Sequence, residues 1–148
     1  DAATLIFENF EILEARNQGL NVDYFPLKNY NVPDFCQLIF ITTPEVLNTS
    51  EVKLKKFLKI IQKAIHYINH HLESAIEIYS TYTQTDISNQ LNKDTIEATA
   101  KCFTNDLSMS SDYYNDLQVW LKEVTDIKDT INPTLYFTNQ LLFSRYTK

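Results

Sequence analysis

A chain of 148 residues with one glycine has few places for a sharp turn or a close backbone approach. That glycine, Gly19, marks a tight local turn, and a glycine-rich phosphate loop cannot be built. Apolar segments lie on both sides of it. The short run Ala2 to Phe7 suits a buried strand. Asn21 to Pro26 alternates, with Val22, Tyr24 and Pro26 on one side, and Pro26 ends it. Phe35 to Thr42 is nearly continuous in apolar and β-forming residues, as in a strand covered on both faces. Between the first two strands lies a polar corner with Asn9 and Glu11. A loop between buried strands is a place where a scaffold holds polar groups over a small ligand.

After Pro44 the apolar period changes from two to 3.6. Asn48 and Glu51 have the spacing of a capping box. Leu54, Phe57, Leu58, Ile61, Ile65, Ile68 and Leu72 then form one stripe, which Ala75, Ile76 and Tyr79 continue after a break near Asn69 to His71. Thr81 to Leu91 reads as a polar loop. Asn92 can cap a helix reaching about Phe103. Ser110 or Ser111 can cap another, with Tyr114, Leu117, Trp120, Leu121 and Val124. Asn132-Pro133 can start a last helix with Leu135, Tyr136, Leu141 and Leu142.

Composition removes several function classes. A chain of this length buries roughly 70% of its unfolded surface, enough for a core. A net charge of −6 with no basic cluster to offset it argues against a nucleic-acid surface. Lys53 to Lys63, the densest basic run, reads as the solvated face of a helix. Cys36 and Cys102 make no disulfide framework and read as free, partly buried thiols. His66 and His70 are one helical turn apart, as zinc ligands can be, but no HExxH accompanies them, so with His71 they read as surface histidines and no metal is expected. No catalytic nucleophile is evident. No run of 18 apolar residues and no basic segment leading into an apolar one occurs. Asp1 opens almost directly onto a strand, so the chain is expected to begin within a fold.

In an extended corner, Asn9 and Glu11 share one side and Phe10 takes the other. A carboxylate can accept paired N–H groups from an aminopyrimidine edge, and an amide completes the pattern. The competing reading is a solvated carboxylate beside an Asn that caps a helix beginning within Phe10 to Glu14. Tyr30 before Pro33, and Phe7, either face a flat heterocycle or pack in the core. Glu8 falls on the opposite face.

The run Asp1-Ala-Ala-Thr-Leu-Ile-Phe7-Glu-Asn-Phe-Glu11, then Gly19 to Pro26, then Tyr30-Asn-Val-Pro33-Asp-Phe-Cys-Gln-Leu-Ile-Phe40, resembles the substrate-binding proteins for thiamine pyrimidine precursors and the related fungal pyrimidine synthases. The likeness is close over the first third of the chain and looser beyond, through helix order and Trp120-Leu121. The chain departs from the pattern in its glycine poverty and in Leu72, where a proline is common.

The resemblance implies an α/β chain, part of a type II periplasmic-binding-protein-like fold, with three N-terminal strands followed by about five helices. Residues 1–34 would end the second lobe and form the hinge segment. Residues 35–148 would supply the return strand and C-terminal helices of the first lobe. The missing first half would come from the rest of the same protein or from self-association. The implied function is binding of a hydroxymethyl- or formylaminopyrimidine, without a cofactor, for an ABC-transporter permease, at a periplasmic or membrane-tethered extracytoplasmic location. Glu11 is then the ligand contact, with Asn9, Tyr30 and Phe7 beside it.

Two alternatives stand. One is a cytoplasmic, pyridoxal-phosphate-dependent synthase, which needs a lysine–histidine pair in the family's N-terminal half and a cysteine-rich segment, none visible here. The other is a small α+β protein-interaction domain.

Overall fold

The computed structural model describes residues 2–4, 6–36 and 38–142. Its elements are helices: α1 (Glu11–Asn17), a 3-10 turn (Leu27–Tyr30), α2 (Pro44–Thr49), α3 (Glu51–His70), α4 (Leu72–Thr83), α5 (Gln90–Ala100), α6 (Ser111–Val124) and a 3-10 turn (Pro133–Leu135). No strand occurs among the described residues, and this overturns the expected α/β class and its three N-terminal strands.

The physical reason lies in where the amide groups go. A strand must pair its N–H and C=O groups with a second strand. Here a side chain takes one N–H in each of the three runs. Phe7 N–H donates to Glu11 Oε2 at 2.8 Å, Tyr24 N–H to Asp23 Oδ1 at 2.9 Å, and Cys36 N–H to the Tyr113 hydroxyl at 2.7 Å. Bonds from side chain to backbone compete with ladder pairing. Leu5 and Gln37, inside two of the runs, lie outside the described residues.

Two compact units divide the chain, and the division falls within α3. The first comprises residues 1–24 and 61–105. In it α5 packs against α1 and α4. Ile12, Ile65, Ile76 and Ala100, from α1, α3, α4 and α5, are buried. Helix α1 has only seven residues, too few to hold alone in water. Helix-forming residues favour it, Glu11 and Glu14 lie in the first turn, and Arg16 lies in the last. Gly19, at φ +79°, ends it. Gly19 N–H donates to Arg16 O at 2.9 Å and Leu20 N–H to Ala15 O at 3.0 Å, the paired bonds of a Schellman motif.

The break between α3 and α4 falls where periodicity placed it, at His71. The polar stretch after it is partly helical, since α4 runs on to Thr83. Asn89, not Asn92, caps α5, its Oδ1 accepting from Leu91 and Asn92 N–H.

The second unit comprises, among the described residues, 25–36, 38–60 and 106–142. Thr43, not Asn48, provides the first cap, its hydroxyl accepting from Val46 N–H at 3.2 Å. Along α3, Leu54 and Leu58 face inward while Lys53, Lys56 and Lys59 are exposed, as a solvated basic face requires. Ser110 caps α6 as expected, accepting from Tyr113 N–H at 3.1 Å. Asn132 also caps, but only the 3-10 turn follows, so the long last helix does not form among the described residues. Pro133 and Leu141 are buried. Tyr114 stacks on Phe137 at 5.1 Å and meets Tyr113 and Tyr136 edge-on. Gln118 donates to Ile131 O and accepts from Ile131 N–H, which fastens the following loop to α6.

Candidate functional site

The corner at residues 7–11 is a turn running into α1, not an extended segment. Phe7 O accepts from Phe10 N–H at 3.2 Å, and Phe7 N–H is held by Glu11 Oε2. Glu11 therefore closes its own turn with one carboxylate oxygen. The side chain remains exposed. Asn9 does not cap the helix: Phe10 is the N-cap residue and gives no side-chain cap. Instead Asn9 Nδ2 donates to Thr99 Oγ1 at 2.9 Å, and Thr99 Oγ1 donates to Thr95 O at 2.8 Å. This chain of bonds ties the corner to α5. The rings of Phe7 and Phe10 meet edge to face at 6.4 Å, and both stay exposed.

Tyr24 adds a polar cluster to the same unit. The Arg16 guanidinium lies 5.9 Å from its ring centroid. The neighbouring Glu8 carboxylate, followed by burial, raises the Tyr24 pKa above its ordinary 10.0, while Arg16 acts in the opposite direction.

Of the expected site residues, Phe7, Asn9 and Glu11 come together in the first unit. Tyr30 belongs to the second unit, in its 3-10 turn and edge-on to Phe25 at 5.7 Å. Sequence reasoning placed Glu8 away from the site and did not pair it with Tyr24 and Arg16. The available signal was the Glu11-to-Arg16 run of helix formers closed by Gly19, which turns the corner helical and rules out simple alternation.

The corner offers carboxylate and amide oxygens beside two exposed rings. These are acceptors for the amino groups of a small heterocycle and surfaces for its plane. Among the described residues no group of three or more His, Cys, Asp or Glu side chains is placed to hold a metal. Cys36 and Cys102 are free and more exposed than expected. No described helix is long and apolar enough to cross a membrane.

A family model described as NMT1/THI5 like matches residues 1–75, just over half of the chain and including the whole corner. The chain belongs to the NMT1/THI5-like family. This family consists mainly of substrate-binding proteins and includes THI5 synthase members. Neither the curated proteins nor the solved structures give a match.

Proposed function

We propose that the chain is a substrate-binding protein, or the C-terminal part of one, for a thiamine pyrimidine precursor, and that it serves an ABC-transporter permease from an extracytoplasmic location. The observation that carries this reading is the family relation over residues 1–75, which spans the corner with Phe7, Asn9 and Glu11. The chemistry of the corner supports it. A hydroxymethyl- or formylaminopyrimidine presents amino hydrogens that a carboxylate and an amide oxygen accept, and a flat ring that Phe7 can cover. Glu11 is the principal contact and Asn9 the second.

Calorimetric titration of the complete gene product with both pyrimidines tests this. Heat of binding that saturates is expected, and Glu11→Ala is expected to weaken it by about 1–3 kcal/mol, the usual effect of leaving a polar partner unmatched. Flat titrations with both compounds would reject the reading. Unchanged affinity in Glu11→Ala would reject Glu11 as a contact.

A further inference from the structure

Helix α3 ends in two histidines one turn apart, and their arrangement is more specific than their spacing. The imidazole centroids of His66 and His70 lie 4.0 Å apart, with the ring planes inclined by 34°. Both side chains are exposed. The His70 Nδ1 atom lies 2.7 Å from the His66 carbonyl oxygen. A carbonyl oxygen only accepts, so Nδ1–H of His70 must donate, and its free lone pair then lies on Nε2. Imidazoles that ligate metals are held in this way: the second ring nitrogen donates to a carbonyl or carboxylate, fixing tautomer and ring orientation.

We propose that His66 and His70 form a two-imidazole binding site for a divalent transition metal ion of the Ni2+, Cu2+ and Zn2+ class. Side chains four residues apart lie above one another on one helix face; the two rings now lie face to face, and a turn of the exposed His66 ring brings its lone pair toward the Nε2 side of His70, where one ion can reach both. Imidazole donors suit these ions and not Mg2+ or Ca2+, which take oxygen ligands. With no third His, Cys, Asp or Glu grouped there among the described residues, the remaining coordination positions fall to water or to an added ligand. His71 is not part of the site. It lies outside both helices, and its ring packs on Tyr67 at 5.0 Å. The bound ion would clasp the last turn of α3, immediately before the break at His71. Because it needs the helical spacing, it would bind the folded chain in preference to the unfolded one.

The test is a calorimetric titration of the 148-residue chain with Ni2+, using Mg2+ as control. Both cysteines are exchanged for serine so that the exposed thiols cannot contribute. One Ni2+ per chain and no response to Mg2+ are expected. His66→Gln and His70→Gln should each weaken Ni2+ binding about tenfold or more, while His71→Gln should leave it unchanged. All three histidines are exposed, so none of these variants threatens the fold. Proton NMR with trace Cu2+ should broaden the ring signals of His66 and His70 and spare His71. No Ni2+ binding, binding that survives either the His66 or the His70 exchange, or equal weakening by His71→Gln would overturn the proposal.

Discussion

Residues 1–24 with 61–105 bury one apolar side chain from each of four helices, whereas residues 25–60 with 106–142 leave much of their apolar sequence open. In the first unit Ile12, Ile65, Ile76 and Ala100 are shielded. In the second, Pro133 and Leu141 are buried, but Leu38 is 96% exposed and Ile41 87%, and ring contacts and side chains that hold backbone amides add to the helices. Both regions are rich in apolar residues, so composition does not separate them. In the run Phe35 to Thr42 the source of the hydrogen bonds accounts for the openness, while Val52, Ile60, Val119 and Val124 are open on helices of the same unit. A helix closes its bonds within itself and needs only a neighbouring face to cover its stripe. A strand needs a second edge supplied from elsewhere in sequence, and an apolar run without one stays open.

The sharpest way to break this comparison is to truncate the best-buried side chain of the first unit. Ile76 is 2% exposed, and Ile76→Ala is expected to lower the free energy of unfolding by about 2–5 kcal/mol, through lost transfer energy and the cavity left behind. Urea unfolding followed by helical circular dichroism measures it. A loss below about 0.5 kcal/mol would mean that the first unit is no better packed than the second.

Backbone conformation gives the next effect. Gly19 has φ +79°, and a Cβ built there meets nothing within 4 Å, so Gly19→Ala isolates the left-handed strain. A loss of about 1–2 kcal/mol is expected. Gln84, after α4, holds φ +59° without being glycine. Gln84→Gly removes the same strain and should raise stability by a few tenths to about 1 kcal/mol. Opposite signs at the two helix ends support the paired reading, and equal signs break it.

Caps should not distinguish the units, because they act within one turn. Asn89 caps α5 in the first unit and Ser110 caps α6 in the second. Asn89→Ala and Ser110→Ala are each expected to lower stability by about 1 kcal/mol. A cap that matters in one unit only would show that the other helix is held by packing alone.

Alkali reports on both units, through Tyr24 in the first and through Tyr113 and Tyr114 in the second. Burial, the largest cause, pushes the phenols of Tyr113 and Tyr114 above the ordinary 10.0. A raised pKa means that the folded chain holds the proton more tightly than the unfolded chain. That stability is present in full below pH 10.0 and is lost as pH rises through the folded values. Ultraviolet titration should show late-ionising tyrosines, and Tyr113→Phe and Tyr114→Phe should each remove one. Titration of all phenols at or below their ordinary value would contradict the packing of this cluster.

Helical order was legible where it depends on near neighbours. The stripe from Leu54 to Ile68, the break at His71 and the Ser110 cap all follow from residues within a few positions of one another. Asn92 does not cap because Asn89, three residues earlier, offers the same chemistry, and Asn48 does not because it lies inside α2, which Thr43 caps. The three apolar runs were misread as strands because period and composition describe readiness to pair and not the presence of a partner. The bond from Cys36 N–H to Tyr113, 77 residues away, has no local signal at all. At the candidate site, sequence singles out Phe7, Asn9 and Glu11 as ligand contacts, and the structure brings them into one corner, but with another geometry, since a seven-residue helix replaces the expected alternation.

The smallest expected effect tests the open region directly. Leu38 and Ile41 lie in the apolar run Phe35 to Thr42, and no backbone ladder or covering face holds their side chains among the described residues. Exposed side chains away from caps and tight turns contribute little, so Leu38→Ser and Ile41→Ser should each change unfolding stability by less than about 0.5 kcal/mol. Ile76→Ala supplies the contrast under the same conditions. If either serine variant loses more than about 1 kcal/mol, this run is covered in solution, and the difference between the two regions lies in which face covers each apolar run and not in whether one does.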